Sequence, residues 1–437
     1  MSELRRHGLI RSAIVLCALG AVVAGAIAAI KKDTSELDVY ITAAQRMLAG
    51  AEIYSPTDPK PFTYPPFFAI LFVPLAVLPA AAHRLLWFSI NVGLLAFVVA
   101  TLRRVVRDAA PIGFPRVGWL VVAVLGVRHV LAVFENQSHD LIVCVLFAAG
   151  ALAAARHRES RSGSRFGLAA AAKATPLLML PVMVGQGRLR AAAVFVLAAS
   201  LVSLAPDVLM PRDDGRLHVV AWFQTFAPAI RAAAAPEVGN AWTPHNFLNQ
   251  NLIGLVRRWT DHPLAEGTFV RDVAFVQLPV TLRRTIKLVL QLAVVATIAI
   301  VARPRRRDPE PTRVRSWRRF GECGLVACGM LLLSPMSSKS HFCLLVLPIL
   351  FCVETWLRTR DRRVLAALVV AFVAGTLTTK GIVGSRIGNL LLAHGAVTWT
   401  TLALMVGSAI GLSPSLLART TRERPPRSPQ TFTNHPS

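Results

Sequence analysis

The sequence lacks the short motifs of soluble nucleotide-dependent enzymes. It has no Walker phosphate-binding loop, no HExxH zinc motif, no GxSxG nucleophile motif and no dinucleotide-binding glycine fingerprint. It also has no CxxC pair, and its six cysteines all lie within apolar stretches. We interpret these cysteines as small hydrophobic residues, not as a disulfide framework or a metal site. Soluble nucleotide-driven chemistry therefore has no support in this sequence.

Acidic residues are scarce. The chain has 23 Asp and Glu against 48 Lys and Arg, a formal net charge of +25. In a soluble protein this excess would indicate a nucleic-acid partner. Here the arginines cluster in short loops between apolar runs, so membrane topology explains them better. Anionic lipid headgroups are the expected partners of this charge, and no nucleic acid is expected.

Apolar runs of membrane-spanning length recur from end to end, and 54% of the residues are hydrophobic. Because a span needs roughly 20 mostly apolar residues, the sequence predicts an all-α polytopic integral membrane protein with about 10–12 transmembrane helices. Full spans are predicted at residues 9–30, 85–102, 117–134, 140–155, 191–208, 285–302, 320–335, 341–357, 363–379 and 386–412. The first run could instead be a cleaved signal peptide, but its length and Lys31-Lys32 favour an uncleaved helix.

Two apolar stretches fit a full span poorly. Residues 67–78 are few and contain Pro74, and residues 166–184 are interrupted by Lys173, Pro176 and Pro181. If neither stretch crosses the bilayer, alternating spans place every arginine-rich loop in the cytoplasm. If both cross, at least one basic loop breaks that rule. The first arrangement predicts two short helices around Lys173 and a cavity beside it, because broken backbone at membrane depth needs protein or water around it.

This topology gives one membrane domain, residues 1–418, with outer segments at 31–84 and 209–284. Residues 419–437 are rich in Pro, Ser and Thr and carry basic residues, so a disordered cytoplasmic tail is predicted there. Both termini are expected in the cytoplasm, and the plasma membrane is the expected location.

Asp38 lies just beyond the first apolar run, where a charge is costly unless it is used or paired. A catalytic carboxylate and an N-terminal cap of a short helix over residues 39–49 explain it equally well. Asp33, Glu36 and Asp58 are competing acids. Asp38 is preferred because it precedes an amphipathic helical pattern that would hold it rigidly at the membrane face.

Two cationic positions are candidates for binding an anion. Lys173 either snorkels to an interface or binds a buried phosphate beside the helix break. His341, near Lys339 and several serines, is either a structural residue or a group that binds an anionic leaving group.

Amides and aromatics are the candidates for contacts with a sugar or an acceptor. Asn136 and Gln137 lie either in an ordinary turn, where they open a formal glycosylation sequon, or in a sugar-binding turn. Asn249 and Gln250 belong either to a solvated interfacial helix or to a carbohydrate site. Tyr40 and Tyr64 lie in the same outer segment as Asp38.

Together these pieces resemble the GT-C glycosyltransferases, membrane enzymes that use polyprenyl-phosphate sugars, and most closely glycosyltransferase family 87. The matching pieces cover most of the chain. They are Asp38-Val-Tyr40 with Tyr54, Tyr64-Pro-Pro66, Asn136-Gln137, Lys173 with Pro176 and Pro181, Asn249-Gln250-Asn251 with Arg258, and Ser334-Pro335 with His341. Lys339 and Ser340 stand where the family often has an acidic residue and a second His.

The resemblance implies a GT-C-like fold. It also implies transfer of a hexose, with mannose the first candidate, from a polyprenyl-phosphate donor to a glycolipid or glycan acceptor at the outer face. The transfer would be a single inverting displacement without metal or cofactor. The implied roles are Asp38 as general base, Lys173 and His341 as ligands of the donor phosphate, and Tyr40, Tyr64, Asn136, Gln137, Asn249 and Gln250 as contacts of sugar or acceptor.

Two other functions use some of the same features. A transporter or flippase of lipid-linked sugars also uses broken helices and midplane charges, but it would be expected to show a repeat between its halves, and none is evident. A non-catalytic scaffold would not explain Asp38, Lys173 and the amide clusters together.

Overall fold

A computed structural model of the chain describes residues 20, 23–28, 30–31, 35–55, 57–58, 60–111, 113–231, 245–263, 267–304 and 312–417. Most of the first predicted span at 9–30, parts of the outer segment 209–284 and the whole predicted tail 419–437 lie outside these residues.

The described part of the chain is all-α, as the sequence predicts, and its sole extended pairing is an isolated bridge between Asn246 and Val270. The α-helices are α1 (Glu36–Leu48), α2 (Phe67–Ile70), α3 (Val73–Ala76), α4 (Ala80–Ala109), α5 (Arg116–Asn136), α6 (Asp140–Ala155), α7 (Glu159–Ala172), α8 (Met179–Gly185), α9 (Leu189–Leu209), α10 (His218–Arg231), α11 (Leu252–Thr260), α12 (Val280–Val301), α13 (Thr312–Leu333), α14 (Val346–Thr359), α15 (Arg362–Ala371), α16 (Lys380–Ala393) and α17 (Ala396–Gly411). Two 3₁₀ helices (Thr175–Leu178 and Lys339–Leu345) and a π-helix (Phe372–Leu377) join some of them.

Several long apolar helices make this a polytopic membrane protein. Among the described residues, five helical segments are long and apolar enough to cross a bilayer, or six if one bent pair is counted as a span. They are α4, α5, α9, α12 and the segment Lys339–Thr359, with the pair Arg362–Leu377 and Lys380–Ala393 as the sixth. Other predicted spans are shorter or more polar. Helices α6 and α17 have 16 residues each, and α13 begins among arginines.

The predicted single span at 386–412 is wrong. The chain turns at His394 and Gly395, and Gly395 has φ 79°, a left-handed conformation that favours glycine. Residues on either side form α16 and α17. The chain also bends before α16, where Arg362–Leu377 and Lys380–Ala393 meet at an angle of 91°.

The core is formed where α6, α7, α13 and α14 pack together, and the long outer helices present apolar side chains outward. Almost every residue of α13 and α14 between Phe320 and Thr355 is buried. In contrast, α9 and α12 expose leucines and valines such as Leu201, Val208 and Leu292. A large exposed apolar surface on a helix is stable against lipid, so these faces fit the acyl region of a bilayer.

The helix break predicted around Lys173 is confirmed. Helix α7 ends at Ala172, Lys173 has an extended backbone, and a 3₁₀ turn then leads into α8. Pro176 causes the break, because proline has no N–H for the helical ladder and fits the first turn of a new helix. The other awkward stretch, residues 67–78, forms the short helices α2 and α3.

Candidate active site

A buried ion pair lies at the helix break. The Lys173 ammonium donates to Asp140 Oδ1 at 2.7 Å, and the two residues are 9% and 3% exposed. Asp140 is the first residue of α6, where the helix N-terminus also favours a negative charge. Ser138 Oγ donates to the second oxygen, Asp140 Oδ2, at 3.0 Å. A buried charge is tolerated only when it is paired and hydrogen-bonded, and this carboxylate is both.

Two imidazoles approach the same carboxylate oxygen. His341 Nε2 lies 3.8 Å from Asp140 Oδ1, and His139 Nε2 lies 4.0 Å from it. His139 Nε2 has no hydrogen-bond partner among the described residues. Three nitrogen groups from three parts of the chain therefore surround one anionic oxygen.

An aromatic wall closes one side of this cluster. The Tyr40 hydroxyl and His139 Nδ1 are hydrogen-bonded at 2.9 Å, and the Lys173 ammonium lies 5.8 Å from the centre of the Tyr64 ring. Burial raises the pKa of both tyrosines well above the usual value, and the carboxylates of Glu36 and Asp140 add to the shift. Both phenols therefore stay protonated.

The turn between α5 and α6 positions His139 and Asp140. Gln137 ends α5 in the left-handed conformation, with φ 50° and ψ 40°. Trp87 Nε1 donates to the Gln137 carbonyl at 2.9 Å and fixes this turn against α4. Asn136 is half-buried at the end of α5. Sugar contact by Asn136 or Gln137 stays a prediction.

The amide segment before α11 supports the turn that leads to His341. Asn249 Oδ1 accepts from the Ser337 amide at 3.0 Å, and Asn251 Nδ2 donates to the Ser334 carbonyl at 2.6 Å. Asn249 is 1% exposed. Its contacts therefore position the turn between α13 and the 3₁₀ helix that carries His341.

Gln250 joins the same segment to the α16–α17 turn. Its Nε2 donates to the carbonyls of Phe247 and Leu392, both at 2.7 Å, and its Oε1 accepts from the Val397 amide at 3.1 Å. Direct sugar contact by Asn249 or Gln250 stays a prediction, and it would require replacing these backbone partners.

Asp38 lies on a different face of α1 from the buried cluster. It is exposed, and its Oδ2 accepts from the amide and the hydroxyl of Ser35 at 2.9 and 3.1 Å, which forms a capping box. It lines an open pocket of about 270 Å³ together with Arg46 and Lys60. The capping geometry is therefore present, and the catalytic role stays a prediction.

Glu36 lies on the face of α1 that Asp38 does not share. It precedes Tyr40 by four residues, so both side chains lie on one side of the helix. It is half-buried and forms an ion pair with Lys60 at 2.6 Å. Tyr40, on the same side of α1, is hydrogen-bonded to His139 of the buried cluster.

The space inside the cluster is small. A cavity of about 10 Å³ is lined by Asp140, Lys173, His341 and their neighbours. That is room for about one water molecule. Among the described residues, no three side chains of His, Cys, Asp or Glu are arranged to hold a metal ion.

The structure brings together four residues that the sequence singled out: Tyr40, Tyr64, Lys173 and His341. Sequence reasoning missed the two groups at the centre, Asp140 and His139. The signal was present, because a lone lysine inside an apolar run needs a partner, and Asp140 opens another apolar run.

The sequence matches the model of glycosyltransferase family 87 over residues 62–335, which is more than half of the chain. The chain belongs to glycosyltransferase family 87. The match includes Tyr64, the α5–α6 turn, the helix break at Lys173 and the amide segment. No solved structure gives a significant match to this family member.

A curated relative is the polyprenol-phosphate-mannose-dependent alpha-(1-2)-phosphatidylinositol pentamannoside mannosyltransferase of Mycobacterium tuberculosis, to which the chain is similar. The two are 26% identical over 325 residues. The alignment covers 71% of this chain and 64% of the relative, so the chain spans less than two thirds of the relative's length.

Proposed function

We propose that this family member transfers a hexose, with mannose the first candidate, from a polyprenyl-phosphate donor to a glycolipid or glycan acceptor. The observation that carries the proposal is the convergence of Lys173, His341 and His139 on one buried anionic oxygen. Such a group of nitrogens is built to hold an anion at membrane depth. The family and the named activity of the mycobacterial relative support a lipid phosphate as that anion.

The reaction is an inverting single displacement. The acceptor oxygen attacks the sugar's anomeric carbon while the bond to the phosphate oxygen breaks, and the phosphate leaves with the bonding electrons. Lys173, with the imidazole of His341 beside it, stabilises the charge that develops on this leaving group. A monophosphate leaving group can depart without a metal, and we expect no metal requirement.

The proton of the acceptor hydroxyl goes to a carboxylate in the first turn of α1. The sequence pattern predicts Asp38, but the geometry favours Glu36. The base must reach an acceptor that attacks beside the phosphate, and Tyr40 marks the side of α1 that faces it. Glu36 shares that side. Asp38 is rotated by about 200° from Tyr40, because residues two positions apart in a helix differ by that angle.

The donor enters from the bilayer, and the acceptor enters from the outer face of the plasma membrane. The arginine-rich loops support this orientation, because they are expected in the cytoplasm together with both termini.

The test is sugar transfer by the purified full-length protein in lipid nanodiscs. Polyprenyl-phosphate [¹⁴C]mannose is supplied with a glycolipid extract, and labelled products are separated and analysed for anomeric configuration. We expect labelled glycolipid of inverted configuration. GDP-[¹⁴C]mannose serves as the control donor and should give no product.

The same preparation separates transfer from transport. A fluorescent polyprenyl-phosphate sugar is placed in one leaflet of a proteoliposome, and its movement to the other leaflet is measured by dithionite quenching. Movement without transfer of any supplied sugar would favour the flippase alternative and contradict the proposal.

A further inference from the structure

The carboxylate of Asp140 occupies the position where an incoming anion would meet its ligands. Its Oδ1 atom is 2.7 Å from Lys173 Nζ, 3.8 Å from His341 Nε2 and 4.0 Å from His139 Nε2. These three nitrogens come from the helix break, the 3₁₀ helix after α13 and the α5–α6 turn. They converge on a side chain of the protein itself.

The distances show which of the three contacts is satisfied. Only Lys173 is within hydrogen-bond distance of Oδ1, and the two imidazole nitrogens lie beyond it. His139 Nε2 is fully buried and has no hydrogen-bond partner among the described residues. Two of the three nitrogens that surround Oδ1 therefore form no hydrogen bond with it.

The cavity volume and the charge of the site both indicate that the Asp140 carboxylate must move when a phosphate binds. A cavity of about 10 Å³ beside the pair admits no phosphate while Asp140 stays in place. The other ionisable groups that contact the cluster are Tyr40, Tyr64 and Cys343, and none of them supplies a cation. A phosphate that joined the ionised Asp140 would add negative charge to a site with one permanent cation.

We propose that Asp140 is an internal substitute for the donor phosphate, a positioning residue that holds Lys173 beside the two histidines before the phosphate binds. The phosphate displaces it on entry. After sugar transfer, Asp140 returns to Lys173 and competes with the polyprenyl phosphate product, which speeds its release. This inference rests on the proposed function, because it assumes that the anion at Lys173 is a lipid phosphate.

The test measures binding of polyprenyl phosphate, without sugar, to the full-length protein, with the unphosphorylated polyprenol as control. Asp140→Asn keeps the shape and the Ser138 contact but removes the competing charge. We expect polyprenyl phosphate to bind at least roughly tenfold more tightly, as expected for loss of one close, buried charge contact. Binding of the alcohol should not change.

The time course of turnover separates the proposed role of Asp140 from a purely structural one. In Asp140→Asn, the first turnover should be retained while steady-state turnover falls, so a burst of product equal to the enzyme concentration should appear. A general base would instead lose the first turnover together with the later ones.

Ser138→Ala is the second variant, because it loosens Asp140 and leaves the ion pair intact. Like Asp140→Asn, it should bind polyprenyl phosphate more tightly than the parent protein does. It replaces Asp140→Asn as the test if that variant does not fold. Unchanged or weaker phosphate binding in the folded variants would overturn the inference. If the parent protein binds the phosphate no better than the alcohol, the proposed function itself fails, and the two failures are thus distinguished.

Discussion

Lys173 is the residue whose surroundings bear most directly on donor binding. Its ammonium is buried, pairs with Asp140 and lies over the Tyr64 ring. Lys173→Met keeps the length of the side chain and removes the charge, so under the proposed function the donor phosphate loses its one permanent cation. We expect the KM for the polyprenyl-phosphate sugar to rise by at least roughly tenfold, as for loss of a buried charge contact.

Lys287→Met is the matched control for that change. It makes the same substitution at a half-buried position of α12, outside the cluster. Equal KM values for both variants would remove Lys173 from the donor site. A thermal-unfolding measurement on each variant separates loss of binding from loss of the fold.

Substitutions of the two carboxylates in the first turn of α1 are expected to affect turnover differently. Because Glu36 shares a helix face with Tyr40, Glu36→Gln should lower kcat by about 10²–10⁴, the usual size of a general-base effect. Asp38→Asn should stay within a few-fold of the parent, since Asn caps a helix about as well as Asp. Turnover with saturating donor measures both.

Lys60→Met controls for the ion pair that Glu36→Gln also removes. The pair is half-exposed at Lys60, and such pairs contribute little, so this variant should turn over nearly normally. A folded Asp38→Asn protein that loses activity, beside an active Glu36→Gln protein, would restore Asp38 as the base.

At the scale of elements, the packing of α7 on α9 sets the position of Lys173. Gly163 and Gly167 lie one turn apart on α7, where a methyl group would meet the α9 backbone. A Cβ at Gly167 would lie 2.5 Å from the Phe195 carbonyl oxygen. Small residues at this spacing let membrane helices approach closely. Lys173 directly follows the end of α7, so any shift of this helix moves the ammonium.

Gly167→Ala should therefore lower both stability and transfer. Overpacking of this kind costs about 1–3 kcal/mol, and the nearest atom here is backbone, which cannot rotate away. Gly93→Ala on α4 is the control, because a Cβ there meets nothing within 4 Å. Thermal unfolding in detergent should show a loss for Gly167→Ala and none for Gly93→Ala. Equal midpoints would mean that α7 and α9 are not closely packed.

For the whole molecule, the orientation in the membrane fixes where the acceptor comes from. Two arginines with mostly exposed side chains are suitable for labelling: Arg216, between α9 and α10, is 75% exposed, and Arg107, near the end of α4, is 71% exposed. Cysteines at 216 and at 107 should lie on opposite sides of the membrane, since the positive-inside rule places the second in the cytoplasm.

An impermeant maleimide added to intact spheroplasts should label Arg216→Cys, whereas Arg107→Cys should need lysis. The five described native cysteines are buried, and unsubstituted protein gives the remaining background. The reverse labelling pattern would invert the topology and place the transfer reaction at the inner face.

The sequence by itself determined the membrane class, most helix positions and the break at Lys173. These features follow from local causes: apolar length, arginine in short loops and proline inside a run. Local sequence also identified Tyr40, Tyr64, Lys173 and His341, together with the order of motifs that resembles glycosyltransferase family 87.

The tertiary structure alone decided which charges meet and which side of α1 faces them. Asp140 and Lys173 are 33 residues apart, and their pairing depends on how α6 packs against α7. The preference for Glu36 over Asp38 depends on the direction in which Tyr40 is buried. Local periodicity gives a helix its faces, but only packing against other helices determines which face lies toward the site.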